Sequence, residues 1–485
     1  MFSKPRKVLS RAITVCGVML VTLSMARVAY AAVPLTTVST DPYVNLSSYH
    51  QTEVEPDTYS FGSTIMAAFQ VGRFSDGGSS NLGYAVSIDN GTTWSNGFVP
   101  GTTIYADPPG TWARISDPSV TYDAKHDVWM IVGLVIDSNV SARGLVVNRS
   151  TDGGLTFQNP VNVSIDQGGY DKQWMTCDNT ASSPFYGNCY VEWAGFSGIT
   201  MSRSTDGGLS WNLSQTPNTF GNGGQPVVQN DGKVVVPYAG NGIQTIVSTN
   251  GGASYTGPQN IAAIQSHTPA GSLRAPLLPS AEIDGAGKIY VVWPDCRFRS
   301  GCSSNDIVMT TSTNGQAWTQ VVRIPIDAVT STVDHFIPGI GADRSTSGAT
   351  AHLGLTFYQY PVANCTSNTC KLQAAFISSQ DGGTTWSGRT KILGSMHLKW
   401  LPFTTLGYMV GDYISTSFGS NGKAYPVIPK ATTTPNCTTS QLGSCHEFMV
   451  APTNGLAVGP GIQGVDRNER AIATGAYSSP ALPLN

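Results

Sequence analysis

The chain carries little charge. Only 12% of its 485 residues are Asp, Glu, Lys or Arg, and 27 basic side chains against 30 acidic ones leave a formal net charge of -3. That balance excludes a basic face for nucleic acid and an acidic solvating tail, and so few charged helix formers disfavour long solvent-exposed helices. Beyond residue 25 no apolar run approaches the ~20 residues that a membrane span needs. The sequence has no Cys-x-x-Cys pair, no His-Glu-x-x-His, no EF-hand loop and no Gly-rich phosphate loop opening a helix. No cofactor and no metal is therefore expected. Asp residues that gather at one face offer oxygens of the kind Ca²⁺ takes, but at spacings that diagnose nothing.

What the chain does have is 40% hydrophobic residues, 53 Gly, 29 Pro and an abundance of Ser, Thr, Val and aromatics. This composition suits many short strands joined by turns, and an all-β fold is expected. At the N-terminus Lys4, Arg6, Lys7 and Arg11 precede an apolar run from Ala12 to about Met25, and Ala29-Tyr30-Ala31 offers a small-x-small cleavage pattern. Residues 1-31 read as a signal peptide, and 32-485 as a single exported domain, extracellular or periplasmic. Cys16 leaves with the signal. The other eight cysteines group as Cys177/Cys189, Cys296/Cys302, Cys365/Cys370 and Cys437/Cys445, which reads as four local disulfides in an oxidising compartment.

One pattern recurs along the chain: SIDNGTTW from Ser87, STDGGLTF from Ser150, STDGGLSW from Ser204, STNGGASY from Ser248, STNGQAW from Ser312 and SQDGGTTW from Ser379. Each reads as a hairpin turn. Asp or Asn folds back onto backbone N–H groups, Gly takes positive φ, and the aromatic plugs the next hydrophobic layer. A second series marks strand entries at Glu55-Pro56, Asp117-Pro118, Asp171-Lys172, Gln225-Pro226, Leu278-Pro279, Ile337-Pro338 and Gly411-Asp412, roughly 60 residues apart. The last unit has no box, and its missing fourth strand is expected from the stretch around Leu35 to Tyr43.

The six turns resemble the Asp-box of the sialidase (neuraminidase) superfamily and of related bacterial neuraminidase repeats. The resemblance implies a β-propeller with its boxes on the face away from the active site. The seven entries suggest seven four-stranded blades, with six as the alternative. The opposite face then carries the strand entries and the second-to-third-strand loops, three of them braced by disulfides, and with them Arg114, Asp117, Lys172 and His335.

By position, Arg73 resembles the Arg that ends the second strand of the first sialidase blade, Asp76 the acid/base, Arg297 another carboxylate-binding Arg and Tyr413 the nucleophile. TEVEPD stands where the family carries Phe-Arg-Ile-Pro, and Leu278 stands where a Glu would activate the Tyr, which leaves Glu192 and Glu282 as candidates. The resemblance implies an exo-α-sialidase-like glycosidase that removes terminal acidic sugars, with a glycan or polysaccharide as partner and a monomer as the working unit. Two alternatives stay open. One is a lyase or other glycosidase on uronic-acid glycans, in which Lys172 or an Arg neutralises the carboxylate and His335 or a Tyr is the base. The other is a propeller that binds a glycan or protein without turnover.

Overall fold

The computed structural model describes residues 1-3, 32-434, 437, 444-461 and 463-464. The expected signal segment therefore lies outside the described residues except for 1-3. The chain separates into Met1–Ala32 and Val33–Asn485, and every strand belongs to the second unit. Helix among the described residues is confined to three-residue turns at Ser300–Cys302, Gly348–Thr350 and Leu398–Trp400.

The fold is all-β, built of antiparallel meanders. The first runs through His50–Phe61, Thr64–Arg73, Ser79–Ser87 and Ser95–Phe98. The second runs through Arg114–Asp123, Val128–Ile136, Ala142–Ser150 and Val161–Ile165. The third comprises Trp174–Cys177, Cys189–Gly195, Gly198–Ser204 and Asn212–Leu213, and the fourth Val227–Val228, Val234–Gly240, Gly242–Ser248 and Thr256–Ala262. The fifth contains Ser280–Ile283, Ile289–Asp295, Asp306–Ser312 and Val322–Arg323, and the sixth Asp334–Ala342, Leu353–Tyr360, Lys371–Ser379 and Thr390–His397. In the remaining part Ser417–Phe418 pairs with Ala424–Tyr425, and Ile428–Ala431 pairs with Ser444–Pro452. The free side of Ser444–Pro452 takes Leu35–Thr37 from the start of the unit, with Leu35 opposite Pro452.

Strand sequences such as VWMIVGLVI lack alternation because both of their faces are buried, and all nine residues of that strand are. Each sheet packs on the next through an apolar cluster. Met66 and Leu82 of the first sheet meet Ile131 and Val146 of the second, and Val132 and Leu134 of the second meet Val191 and Trp193 of the third. Tyr190 and Met201 meet Val236 and Ile246, Val235 and Ile243 meet Val291 and Trp293, and Val292 and Met309 meet Leu355 and Ile377. Phe336 and Leu372 then meet Ile428 and Val450. Finally Val427, Met449 and Ala451 pack on Ala67, Phe69 and Val71 of the first sheet.

The third-to-fourth-strand turns share one set of hydrogen bonds. In the sixth sheet Asp381 Oδ1 accepts from Thr385 N at 2.8 Å and from Ser379 Oγ at 2.8 Å, while Oδ2 accepts from Thr385 Oγ1 at 2.6 Å. Gly383 N donates to Ser379 Oγ at 2.9 Å, and Trp386 is fully buried between the fifth and sixth sheets. Asp89, Asp152 and Asp206 repeat the pattern, and Asn250 and Asn314 make its amide version.

The strand entries are bulged. The register slips between Val54 and Asp57, between Ser116 and Ser119, and between Phe336 and Gly339, with Glu55 (φ 61), Asp117 (φ 50) and Ile337 (φ 48) in the left-handed region just before a proline. Non-glycine residues rarely sit there, and surrounding contacts must hold them in place. Lys172 (φ 53) takes the same conformation at the third entry.

The four cysteine pairs are disulfides: Cys177–Cys189, Cys296–Cys302, Cys365–Cys370 and Cys437–Cys445. Asp381→Ala removes the acceptor of three hydrogen bonds in one turn and is expected to cost about 1–2 kcal/mol, read as a lower urea midpoint. An unchanged midpoint would mean that the glycines and Trp386 hold the turn without the carboxylate.

Candidate functional site

The bulged entries turn charged side chains toward one another at one end of the sheets. Lys172 is buried, and its Nζ lies 2.9 Å from Asp171 Oδ1, 2.9 Å from Asp412 Oδ2 and 3.3 Å from Asp117 Oδ2. Asp412 in turn receives a two-pronged bond from Arg274, whose Nε reaches Oδ1 at 2.6 Å. Glu55 accepts the Asp412 backbone N–H at 3.1 Å and pairs with the Gln70 side-chain amide. Gln70 Oε1 accepts from Arg73 at 2.9 Å, and the same guanidinium donates to the Gly78 carbonyl at 3.0 Å.

Above this layer, Arg114 at the start of the second sheet binds Asp76 and donates to the Gly77 carbonyl at 2.8 Å, with its guanidinium over the Phe74 ring at 4.0 Å. Arg73, Asp76, Asp117, Asp171, Lys172 and Arg274 line one cavity of about 70 Å³, closed on the apolar side by Leu134, Ile136 and Tyr170.

The electrostatics follow from burial and pairing. Burial, reinforced by the Asp117 and Asp412 carboxylates, pushes Glu55 up to about 8. Burial also opposes ionisation of Asp117, but Lys172 and the Ser116 hydroxyl outweigh it and hold Asp117 at about 2. Asp412 falls well below the usual carboxylate range because Arg274 and Lys172 outweigh its burial. Lys172 is raised although burial works against its charge, because Asp117, Asp171 and Asp412 surround it. Burial and the nearby Arg274 bring Arg73 down to about 10. Burial raises Asp171, against the pull of Lys172 beside it.

Tyr413 is buried just behind this layer. Its hydroxyl donates to the Pro118 carbonyl at 3.0 Å, and its ring meets Trp174 edge-on with centroids 5.1 Å apart. Burial holds the phenol well above its ordinary value, followed by the negative potential of Glu55 and Asp117.

Of the residues singled out in the sequence, Arg73, Asp76, Arg114, Asp117 and Lys172 come together here, with Tyr413 at their back. Three others lie elsewhere. Glu282 bonds the Ile283 backbone, stands 3.5 Å from Arg344 and lines a separate cavity of about 470 Å³ with Tyr59, Asp284 and Asp343. Arg297 folds back onto Asp295, two residues before it, through two nitrogens at 2.7 and 2.8 Å. His335 is buried, with Nδ1 on the Asn305 carbonyl at 3.0 Å. Glu192, the other base considered for Tyr413, is buried against Gly224.

Arg274 falls on this face by its place in the sequence, without a role assigned to it there, and Gln70 is the partner that the residue pattern did not single out. Arg274 sits between the fourth and fifth sheets, outside either repeat series. Gln70 is an ordinary strand residue made important by the carboxyl opposite it.

No protein-family model matches the chain, and no curated protein does. Among solved structures it is similar to a protein of unknown function from Dyadobacter fermentans, at 16% identity over 71% of this chain and 98% of that one (TM-score 0.44). It is also similar to the NanB sialidase of Streptococcus pneumoniae, at 13% identity over 87% and 71% (TM-score 0.45). A third similar structure is the phage phi92 endosialidase, at 11% identity over 93% and 71% (TM-score 0.48).

The folded protein keeps the Glu55 proton where the unfolded chain has lost it. Between pH 4.5 and about 8 the unfolded state thus binds fewer protons, so the stability this group contributes is complete below 4.5 and is lost as the pH rises through 8. Glu53 and Asp57, pushed up to about 8 and about 7 by burial, act in the same window, whereas Asp117 and Asp412 lose stability only as the pH falls below their ordinary range. Glu55→Gln is expected to flatten, without abolishing, the fall in urea midpoint between pH 5 and 8. A slope equal to that of the unaltered protein would mean that Glu55 does not hold the proton.

Proposed function

We propose that the chain is a secreted seven-bladed β-propeller that acts on terminal acidic sugars as a sialidase-like glycoside hydrolase, at the end where the strand entries converge. Seven apolar clusters, each joining a sheet to the next and the last to the first, support the blade count. The shared turn hydrogen bonds support their reading as Asp-boxes. Four disulfides fit an oxidising compartment, and no helix of the described residues is long and apolar enough to cross a membrane.

The observation that carries the chemistry is the convergence of Arg73, Lys172 and Arg274 on one cavity with Asp76, whose side chain keeps 41% of its exposure. Cations grouped this way suit a sugar carboxylate, and Asp76 is the acid or base that solvent and a leaving group can reach. A cavity of about 70 Å³ is far below the 300–1,000 Å³ of sites that enclose a whole ligand. The carboxylate end of a terminal sugar can enter it while the rest of the chain lies outside. Tyr413 remains the nucleophile in this reading, with Glu55 rather than Glu282 as its neighbouring carboxyl.

A specific contact favours a second reading, glycan binding without turnover. The Tyr413 hydroxyl is buried and committed to the Pro118 carbonyl, so it must be released before it can attack. A lyase reading loses its histidine base, since His335 lies outside the cavity.

Mass spectrometry of sialylated and uronic-acid glycans after incubation with the protein separates these readings. The expected result is free sialic acid with gain of water, and a fall in kcat of at least ~100-fold in Asp76→Asn with unchanged circular dichroism. Unsaturated fragments would replace the hydrolase with a lyase. Glycans retained intact would leave a binding propeller, and full turnover by Asp76→Asn would remove that residue from the mechanism.

A further inference from the structure

A second cluster of ionisable groups lies between the fifth and sixth sheets, away from the cavity just described. Asp306 opens the strand Asp306–Ser312, His335 is the second residue of Asp334–Ala342, and Asp327 sits in the connection between them. One ligand atom from each lies within 4.8 Å of the other two. Asp306 and His335 are buried, and Asp327 keeps 16% of its side-chain exposure.

The other oxygen of each carboxylate is committed. Asp306 Oδ1 and Asp327 Oδ1 both accept from Arg299 and Arg323. That leaves Asp306 Oδ2, Asp327 Oδ2 and His335 Nε2 buried without a hydrogen-bond partner. His335 Nδ1 lies 3.0 Å from the Asn305 carbonyl oxygen, which can only accept, so Nδ1 carries a proton and Nε2 is the ring nitrogen turned to the carboxylates. Three lone pairs facing one another are costly to bury.

We propose that Asp306 Oδ2, Asp327 Oδ2 and His335 Nε2 bind one first-row divalent transition cation of the zinc or manganese class. One imidazole nitrogen with two carboxylate oxygens suits those ions. The surroundings are those of a ligand set, because a metal-bound His commonly donates its other ring N–H to a backbone carbonyl and bound carboxylates are themselves hydrogen-bonded. In a four-coordinate site with bonds of 2.0–2.2 Å the donor atoms stand about 3.4 Å apart. Nε2 and Asp327 Oδ2 are already 3.6 Å apart. Arg299 and Arg323 offset the two carboxylate charges, so a hard ion that gains nothing from imidazole is held least.

The partly exposed Asp327 gives the ion a way in. Once bound, the ion would tie the fifth sheet to the sixth and fix one wall of a cavity of about 700 Å³ lined by Arg299, Val329 and Ser331. The Cys296–Cys302 disulfide braces the loop that carries Arg299.

The test uses the full chain without a histidine tag, stripped with EDTA and dialysed against Zn²⁺ or, separately, Mn²⁺ or Ca²⁺. Elemental analysis after gel filtration is expected to find one equivalent of Zn²⁺ or Mn²⁺ together with a raised melting temperature, and no equivalent of Ca²⁺. H335Q and D306N are expected to lose that equivalent. Should either fail to fold by circular dichroism, D327N, altered at the partly exposed ligand, is expected to bind at least tenfold more weakly by titration calorimetry. Less than about 0.1 equivalent of transition metal in the unaltered protein, binding of Ca²⁺ alone, or full binding by the folded variants would overturn the proposal.

Discussion

The contact on which the rest of the structure depends lies between the end of the chain and its beginning. Ser444–Pro452 has one side filled by Ile428–Ala431 and the other by Leu35–Thr37, while Val427, Met449 and Ala451 cover the first sheet. Without that contact the first sheet would expose Ala67, Phe69 and Val71, and Ser444–Pro452 would present an unpaired edge, a template for association with other chains. Each sheet buries both faces only because it has a neighbour on either side, so no sheet is stable alone. The continuous apolar strands would be a liability in any arrangement that left one face open.

The same arrangement sets the electrostatics of the cavity at the strand entries. Sheets packed side by side bring their entry strands together, and left-handed residues at Glu55, Asp117 and Lys172 turn their side chains inward. Buried ions repay their desolvation only when they are densely paired. Lys172 achieves this with three carboxylates, and Arg274 with a two-pronged bond to Asp412. These pairings hold the Lys172 and Arg274 donors in fixed positions.

Much of this was legible in the sequence, for definable reasons. The four disulfides are local pairs, the hairpin turns depend on residues within one octapeptide, and the N-terminal strand was implied by a last unit with too few strands. Arg73, Asp76, Arg114, Asp117 and Lys172 were legible as a group because entry residues and the loops beside them share one end of the sheets. Glu282 misled because it follows its entry at Leu278 by four residues, and four residues of strand span ~13 Å, enough to carry it toward the opposite end of the sheet. Arg297 misled because a carboxylate two residues away captured it. Arg274, in a connection outside both repeats, acquires its role only once the sheets are assembled.

The two charged clusters use the same residue types, and the difference between them lies in what is left over. Around Lys172 the carboxylate oxygens of Glu55, Asp117, Asp171 and Asp412 each face a cation, an N–H or a hydroxyl, and Arg73 Nε is the one unpartnered buried atom among the described residues named there. That describes a closed network. At Asp306, Asp327 and His335 the cations meet one oxygen of each carboxylate, and the second oxygens and His335 Nε2 are left unpartnered, as are Arg299 Nε and Arg323 Nε beside them. Folding cannot pair acceptors with acceptors, which is the ground for the cation site proposed there. Reading the sequence for ligand spacing could not have found it, because its members lie on two sheets and a connection, and the tautomer that aims Nε2 is set by a backbone carbonyl.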